Sequence, residues 1–250
     1  VRHIMIGIPV RERMWALEHV VSSVGRMLIN GCIHNVLIPL ASVELFFLVQ
    51  GDYADRVVEM TTFLNALATP IMEEHGIKVT YASMQVDSEI PAGRPWKIEQ
   101  YEHMVRVRNR LLDEAKSRQA DLFSLDSDIC VYPDTLIHLL HANRDIVSAL
   151  VRNHPTADAY NIMWDKFGED NGYTRDGRAT PIDEGVVRVG LTGACYLISY
   201  KAIKAGVRYR VHHQGEDAGF CSSARDHGFG VYCDTDHKVL HLYEKGKEPI

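Results

Sequence analysis

The chain has 250 residues and a formal charge of −6, with 46% hydrophobic and 24% charged residues. This is the composition of a globular protein with room for a large core. It argues against a dedicated nucleic-acid binder, and no apolar run approaches the length of a membrane span. In chain order, His3–Val10 reads as a short apolar strand, and Trp15–Asn30 as a helix capped by Gly31. Glu44–Gln50 is an apolar strand closed by Gly51-Asp52; Asp55–Ala68 is helical, with Asp55 as N-cap and Pro70 beyond its end; Ile77–Ala82 alternates as a strand. A helix follows over Trp96–Arg118, then a buried strand over Ala120–Asp128 that ends in acid. Pro133-Asp134 opens a helix running to His141, and Asp145–Val151 is a strand. From Arg152 to Glu184 the periodicity dissolves into polar, aromatic and Gly-rich sequence, the mark of a lid or a disordered segment. Val187–Ser199 returns as a strand, followed by helices over Tyr200–Ala205 and Glu216–His227 and short strands over Gly230–Cys233 and Lys238–Tyr243. Apolar strands separated by helices imply a mainly parallel sheet covered on both faces, in one domain.

The five cysteines, Cys32, Cys130, Cys195, Cys221 and Cys233, are scattered and form no CxxC pair. They read as reduced, buried thiols of a cytoplasmic protein. The opening residues have a strand pattern rather than that of a signal peptide.

The chemistry-bearing residues begin with Asp126-Ser127-Asp128. Residues two apart in extended chain point the same way, roughly 7 Å apart, and a turn at a strand end brings two such acids onto one hard cation. A net-negative chain suits a site that recruits Mg²⁺ or Mn²⁺ to meet a phosphorylated ligand. Upstream, Arg108 falls within the apolar stripe Ile98, Tyr101, Met104, Val105, Leu111, Leu112, Ala115. An inward guanidinium needs an acceptor. It either makes a structural ion pair, or it reaches toward a ligand or braces the ligand-binding strand. Glu216 and Asp217 open a helix, where acids serve either as capping charges or, for Asp217, as a general base. Either His237 or His241 could complete a metal shell with the paired acids. No finger-like spacing of Cys and His indicates zinc, and there is no GxGxxG, P-loop or GxSxG motif.

Together, and in this order, these segments resemble the GT-A glycosyltransferases. The likeness runs through Ile8-Pro9-Val10-Arg11, Leu48–Asp52, Val107–Leu112, Leu125–Ile129 with Tyr132-Pro133, Gly193–Ile198, Gly215–Cys221 and His241. It is similar above all to non-processive family-two enzymes and to fungal mannan-polymerase-type mannosyltransferases. The QxxRW motif of processive enzymes is missing, and Pro9-Val10-Arg11-Glu12 is a loose match to the usual first turn. The resemblance implies an α/β, Rossmann-like GT-A domain over residues 1–250, with a nucleotide-binding half (1–128) and an acceptor-side half (129–250). It implies transfer of one sugar from GDP-mannose or a UDP-sugar to an acceptor hydroxyl. On that reading Asp126, Asp128 and His241 hold Mn²⁺ or Mg²⁺, and Asp217 with Glu216 supplies the base. Pro9, Val10, Arg11, Gln50, Asp52, Arg108, Asn109 and Ser127 flank the nucleotide sugar, and Trp164, Gly193 and Ala194 lie toward the acceptor or in a lid. The acceptor, a glycan or small molecule, the stereochemistry and any homo-oligomer are left open. A sugar-nucleotide pyrophosphorylase is the alternative, but the turn after the first strand has one glycine where such enzymes carry a Gly-rich basic loop. A non-catalytic sugar-binding homologue is the other.

Overall fold

Strand β1 (Ile4–Val10) runs buried through the middle of a ten-stranded sheet. In this computed structural model, residues 2–11, 14–32, 43–51, 54–86, 98–153, 160–164 and 185–243 are described, with backbone only at 30–32 and 164. On one side of β1 lie β2 (Val43–Gly51) and then β3 (Lys78–Gln85), and on the other β4 (Asp121–Leu125), all parallel. Beyond β4 the sheet becomes mixed. Strand β9 (Cys195–Ile198) is antiparallel to both β4 and β6 (Ile146–Val151). Strand β10 (Tyr232–His241) pairs parallel to β6 and antiparallel to β8 (Val186–Leu191), and β7 (Met163–Trp164) closes that edge. The short β5 (Ile129–Cys130) pairs with the end of β10. The expected parallel sheet therefore holds for the first half of the chain, and the second half is mixed, with β10 parallel to β6 and its other pairings antiparallel.

Period-two alternation puts apolar side chains on both faces of the central strands. Ile4, Ile6, Ile8 and Val10 pack with Val43, Leu45, Phe47 and Val49 into one core. That core is covered by α1 (Met14–Arg26), α2 (Ala54–Glu73) and α4 (Thr135–His141). Met5, Phe46 and Leu48 face the opposite core, covered by α3 (Ile98–Ser117), α5 (Tyr200–Ala205) and α6 (Glu216–Asp226). At about 1.5–3 kcal/mol for each fully buried large apolar side chain, these two layers supply the main drive to fold.

Several boundaries differ from the sequence-based expectation. Helix α2 does not stop before Pro70. The proline faces solvent inside the helix, and Met72 carries the apolar face past it into the core. Asp55 stands in the first turn of α2, not at its cap. Gly31 does not cap α1, because the chain widens into a π-helical segment over Met27–Cys32. The single strand expected over Val187–Ser199 is two strands, broken at Thr192-Gly193-Ala194, where Ala194 takes a left-handed φ of 67°. Conversely, the two short strands expected near the end are one, β10, because a bulge joins them. Its register on β6 jumps from Asp234↔Ala149 to Lys238↔Leu150, so Thr235, Asp236 and His237 loop out. Among the described residues, no helix is long and apolar enough to cross a membrane.

Candidate active site

Asp126 does not belong to β4; it starts the turn that follows, at the carboxyl end of the parallel strands where open α/β sheets bind ligands. Its N–H donates to the Ala194 carbonyl (2.9 Å), and its own carbonyl accepts from Ile129 N–H (3.1 Å). The turn delivers the chain into β5, whose Ile129 pairs with His241 of β10. The Asp128 carbonyl accepts from Leu242 N–H (2.8 Å). These backbone bonds bring His241 to the acid pair, with Nε2 3.5 Å from Asp128 Oδ2. On the other side of the ring, Nδ1 lies 3.0 Å from the Arg152 carbonyl. A carbonyl can only accept, so Nδ1 carries a proton, and Nε2 is the ring nitrogen that faces Asp128. Burial alone would lower the His241 pKa, but Asp128 and the Arg152 carbonyl outweigh it and leave the pKa raised. His237, the other histidine considered, lies on the bulge, against Thr135 and His138.

Arg108 is buried to 2% exposure, as its place in the helical stripe required. It forms an ion pair with Asp126 and donates to Ser124 Oγ (3.3 Å), so α3 is tied to the end of β4. Burial would lower its pKa. Asp126, Tyr209, Asp217 and Glu216 together raise it, so the guanidinium stays charged. The acceptor that an inward Arg108 needs is Asp126.

Asp217 is the second residue of α6, after Glu216 and the N-cap Gly215, whose φ of 110° lies in the left-handed region that a side chain would strain. Tyr196 O–H donates to Asp217 Oδ1 (3.3 Å). A Cβ on Gly193 would collide with the Asp217 carboxylate, so only glycine admits this approach. Burial, then the neighbouring Glu216 charge, push Asp217 well above the usual carboxylate range; Arg108 offsets this in part. Glu216 is buried and shifts upward chiefly by burial, and Asp126 is raised too, by burial and then by Asp128 against the pull of Arg108. Asp126 thus sits electrostatically between Asp128–His241 and Glu216–Asp217.

The nucleotide-side candidates stand at different places in the fold. Pro9 and Val10 are buried within β1 itself, and Arg11 follows half-buried. Gln50 Oε1 lies 2.8 Å from His103 Nε2 in a buried pair. Asn109 donates to the Tyr209 carbonyl and accepts from Tyr209 N–H, both at 3.0 Å, so its amide clasps a backbone segment. Ser127 stands half-buried in the turn. Asp52 and most of the expected Arg152–Glu184 lid lie outside the described residues, as does the Trp164 side chain. Gly193 and Ala194 do reach the site, through Asp217 and Asp126 respectively.

Sequence reasoning missed three supports. Neither the Tyr196 hydroxyl, which bonds Asp217, nor the Tyr209 backbone, which Asn109 clasps, stood out in the sequence. Asn161 fell in the aperiodic stretch, yet its Nδ2 donates to the Gly193 carbonyl (2.8 Å) and its Oδ1 accepts from Val151 N–H (2.9 Å). Among the described residues, a separate trio of possible metal donors, Asp134, His138 and His237, stands elsewhere on β10 and α4.

No protein-family model matches this chain, and no curated protein matches it in sequence. Solved structures do. It is similar to S. aureus TarS at 11% identity and TM-score 0.55, over 95% of this chain and 36% of that one. It is similar to S. aureus TarS 1–349 in complex with UDP at 9% identity and TM-score 0.54, over 96% of this chain and 59% of that one. It is also similar to the mannosyltransferase PcManGT from Pyrobaculum calidifontis, in complex with GDP-Man and Mn²⁺, at 11% identity and TM-score 0.55. That match covers 98% of this chain and 59% of that one, so the chain spans less than two thirds of each of these neighbours. The chain has the GT-A fold of glycosyltransferases.

Proposed function

We propose that this chain is a metal-dependent glycosyltransferase that moves a single sugar from a nucleoside-diphosphate sugar, GDP-mannose or a UDP-sugar, to an acceptor hydroxyl. The observation that carries this reading is the Asp128–His241 pair, set at the carboxyl ends of the parallel strands with its imidazole tautomer fixed by Arg152. The neighbours in complex with UDP, and with GDP-Man and Mn²⁺, support it.

The donor set fits a divalent cation. Asp126, Glu216 and Asp217 share the Arg108 guanidinium, Asp128 stands beside Asp126, and burial first, then neighbouring carboxylates, raise Asp126, Glu216 and Asp217. Carboxylate oxygen with one imidazole suits Mn²⁺ or Mg²⁺. Asp128 and His241 would be its direct ligands, with Asp126 beside them. Bound there, the ion would neutralise the charge developing on the leaving diphosphate.

The remaining work falls to the chain. Arg108 holds Asp126 in place and keeps a positive charge behind the acids. Tyr196 orients Asp217 through the hydroxyl bond. In an inverting transfer, Asp217 takes the proton of the attacking hydroxyl, and its elevated pKa makes it a stronger base than an exposed aspartate. Glu216, buried at the start of α6, holds a neighbouring charge that keeps that basicity high.

A transfer assay with GDP-mannose and a panel of UDP-sugars, following release of the nucleoside diphosphate with Mn²⁺ present, tests the proposal. One donor should turn over, and Asp217→Asn should lower the rate by about 10²–10⁴-fold while leaving donor binding intact. Full turnover by that variant would remove Asp217 as the base, and no turnover of any donor would count against the reaction itself.

A further inference from the structure

A second group of donors gathers where α4 meets the bulge of β10, apart from the acids at the end of β4. Asp134 is the N-cap of α4 and His138 lies four residues on, so helical geometry sets them on one face. The bulge swings His237 toward that face. One ligand atom from each of the three lies within 4.8 Å of the others. His138 Nε2 stands 3.5 Å from Asp134 Oδ2, and its other nitrogen, Nδ1, faces Asp234 Oδ2 at 3.9 Å. Asp234 is buried, with its carboxylate on the Nδ1 side of the His138 ring. His237 is anchored by a 2.8 Å bond between Nε2 and Thr135 Oγ1.

The two imidazoles stack, with ring centroids 4.6 Å apart and planes 24° from parallel. A cleft of about 710 Å³, lined by Tyr132, Pro133, Asp134, Asp236, His237 and Lys238, opens onto the group and gives an ion a way in. His138 and Asp134 have half-exposed side chains and can turn. That freedom lets the donors close to the separation of about 3.3 Å that tetrahedral zinc requires.

We propose that Asp134, His138 and His237 form a second metal site, which takes a borderline transition ion of the Zn²⁺ class. Two imidazoles and one carboxylate are the donor set of zinc, whereas the acid-rich Asp126–Asp128 turn suits a harder ion. Bound there, zinc ties the start of α4 to the β10 bulge, and so steadies the strand that presents His241. Water from the cleft completes the coordination. The inference does not rest on the glycosyltransferase reading.

The test uses the whole chain and the variants His138→Ala, Asp134→Asn and Asp128→Ala. Each is equilibrated with Zn²⁺, freed of unbound metal, and measured for bound zinc and for Tm. The unchanged protein and Asp128→Ala should retain stoichiometric zinc and melt higher with it; His138→Ala and Asp134→Asn should lose both effects. Zinc retained by both of those variants, or absent from the unchanged protein, overturns the proposal. Zinc lost in Asp128→Ala overturns it as well, since the ion would then belong to the acid turn. Should His138→Ala fail to fold by circular dichroism, Asp134→Asn alone decides. Mn²⁺-dependent nucleotide binding, followed in the same variants, separates this site from the proposed donor site: His138→Ala should keep it whatever becomes of the zinc.

Discussion

Asp217 is a carboxylate whose surroundings resist its charge, by burial first and then by Glu216. Its folded pKa lies above the unfolded value near 3.8, so the folded state holds the proton more tightly. The stability linked to it is complete below that unfolded value and is lost as pH rises through the folded pKa. In metal-free buffer, Tm should therefore fall as pH is raised out of the acid range, and Asp217→Asn should flatten the decline; melting curves in chelator across pH check this. An unchanged slope in the variant would show that the strain lies elsewhere. Arg108 was legible in advance because helical periodicity alone turns it inward. His241 and His237 were not separable by that means, since β5 pairing decides which reaches Asp128. The role of Asn109 was invisible for the same reason: its partner, Tyr209, lies 100 residues along the chain. Asn109→Ala removes both bonds to that backbone and should cost about 2 kcal/mol in denaturant unfolding while leaving nucleotide affinity unchanged. A loss of affinity without a loss of stability would restore its expected place at the nucleotide.

The elements meet at a few points that carry the site's geometry. Helix α3 reaches β4 through Arg108 and Asp126. Arg108→Met removes the only guanidinium paired with Asp126 among the described residues and leaves the acids unbalanced. It should lower stability by about 3 kcal/mol or more, and added Mn²⁺ should recover part of the loss. Strand β8 passes to β9 through Thr192-Gly193-Ala194, where Gly193 presses on Asp217 and Ala194 holds the Asp126 turn. Gly193→Ala should displace the start of α6 and sharply reduce transfer, with a smaller effect on Tm; kinetics and melting on one preparation compare the two. Unimpaired transfer would mean that the contact is incidental. Sequence periodicity read Val187–Ser199 as one strand because both halves are apolar. Only the left-handed Ala194 and the different partners of β8 and β9 reveal the break. Pro70 misled in the other direction, because buried Met72 outweighs a hydrogen bond lost on the solvent side.

Across the molecule, the first half of the chain was the more legible. Strands β1, β2 and β4 are parallel and buried on both faces, so each is a mainly apolar run, and helices stand between the strands. The second half alternates direction, inserts β9 between β4 and β6, and bends β10 around a bulge, and none of these leaves a periodic signature. The order of short motifs carried the resemblance to GT-A enzymes that the fold upholds. The central claim is a divalent cation and a diphosphate held together at Asp128. Its most direct test is the melting temperature of the protein and of Asp128→Ala with GDP and UDP, with and without Mn²⁺. At about one hundred times its Kd, the cognate nucleotide should add about 2.7 kcal/mol. For a domain of this size that is a rise of about 5–11 °C. The rise should require Mn²⁺ and vanish in Asp128→Ala. Stabilisation that survives in the variant, or that needs no metal, would contradict the account.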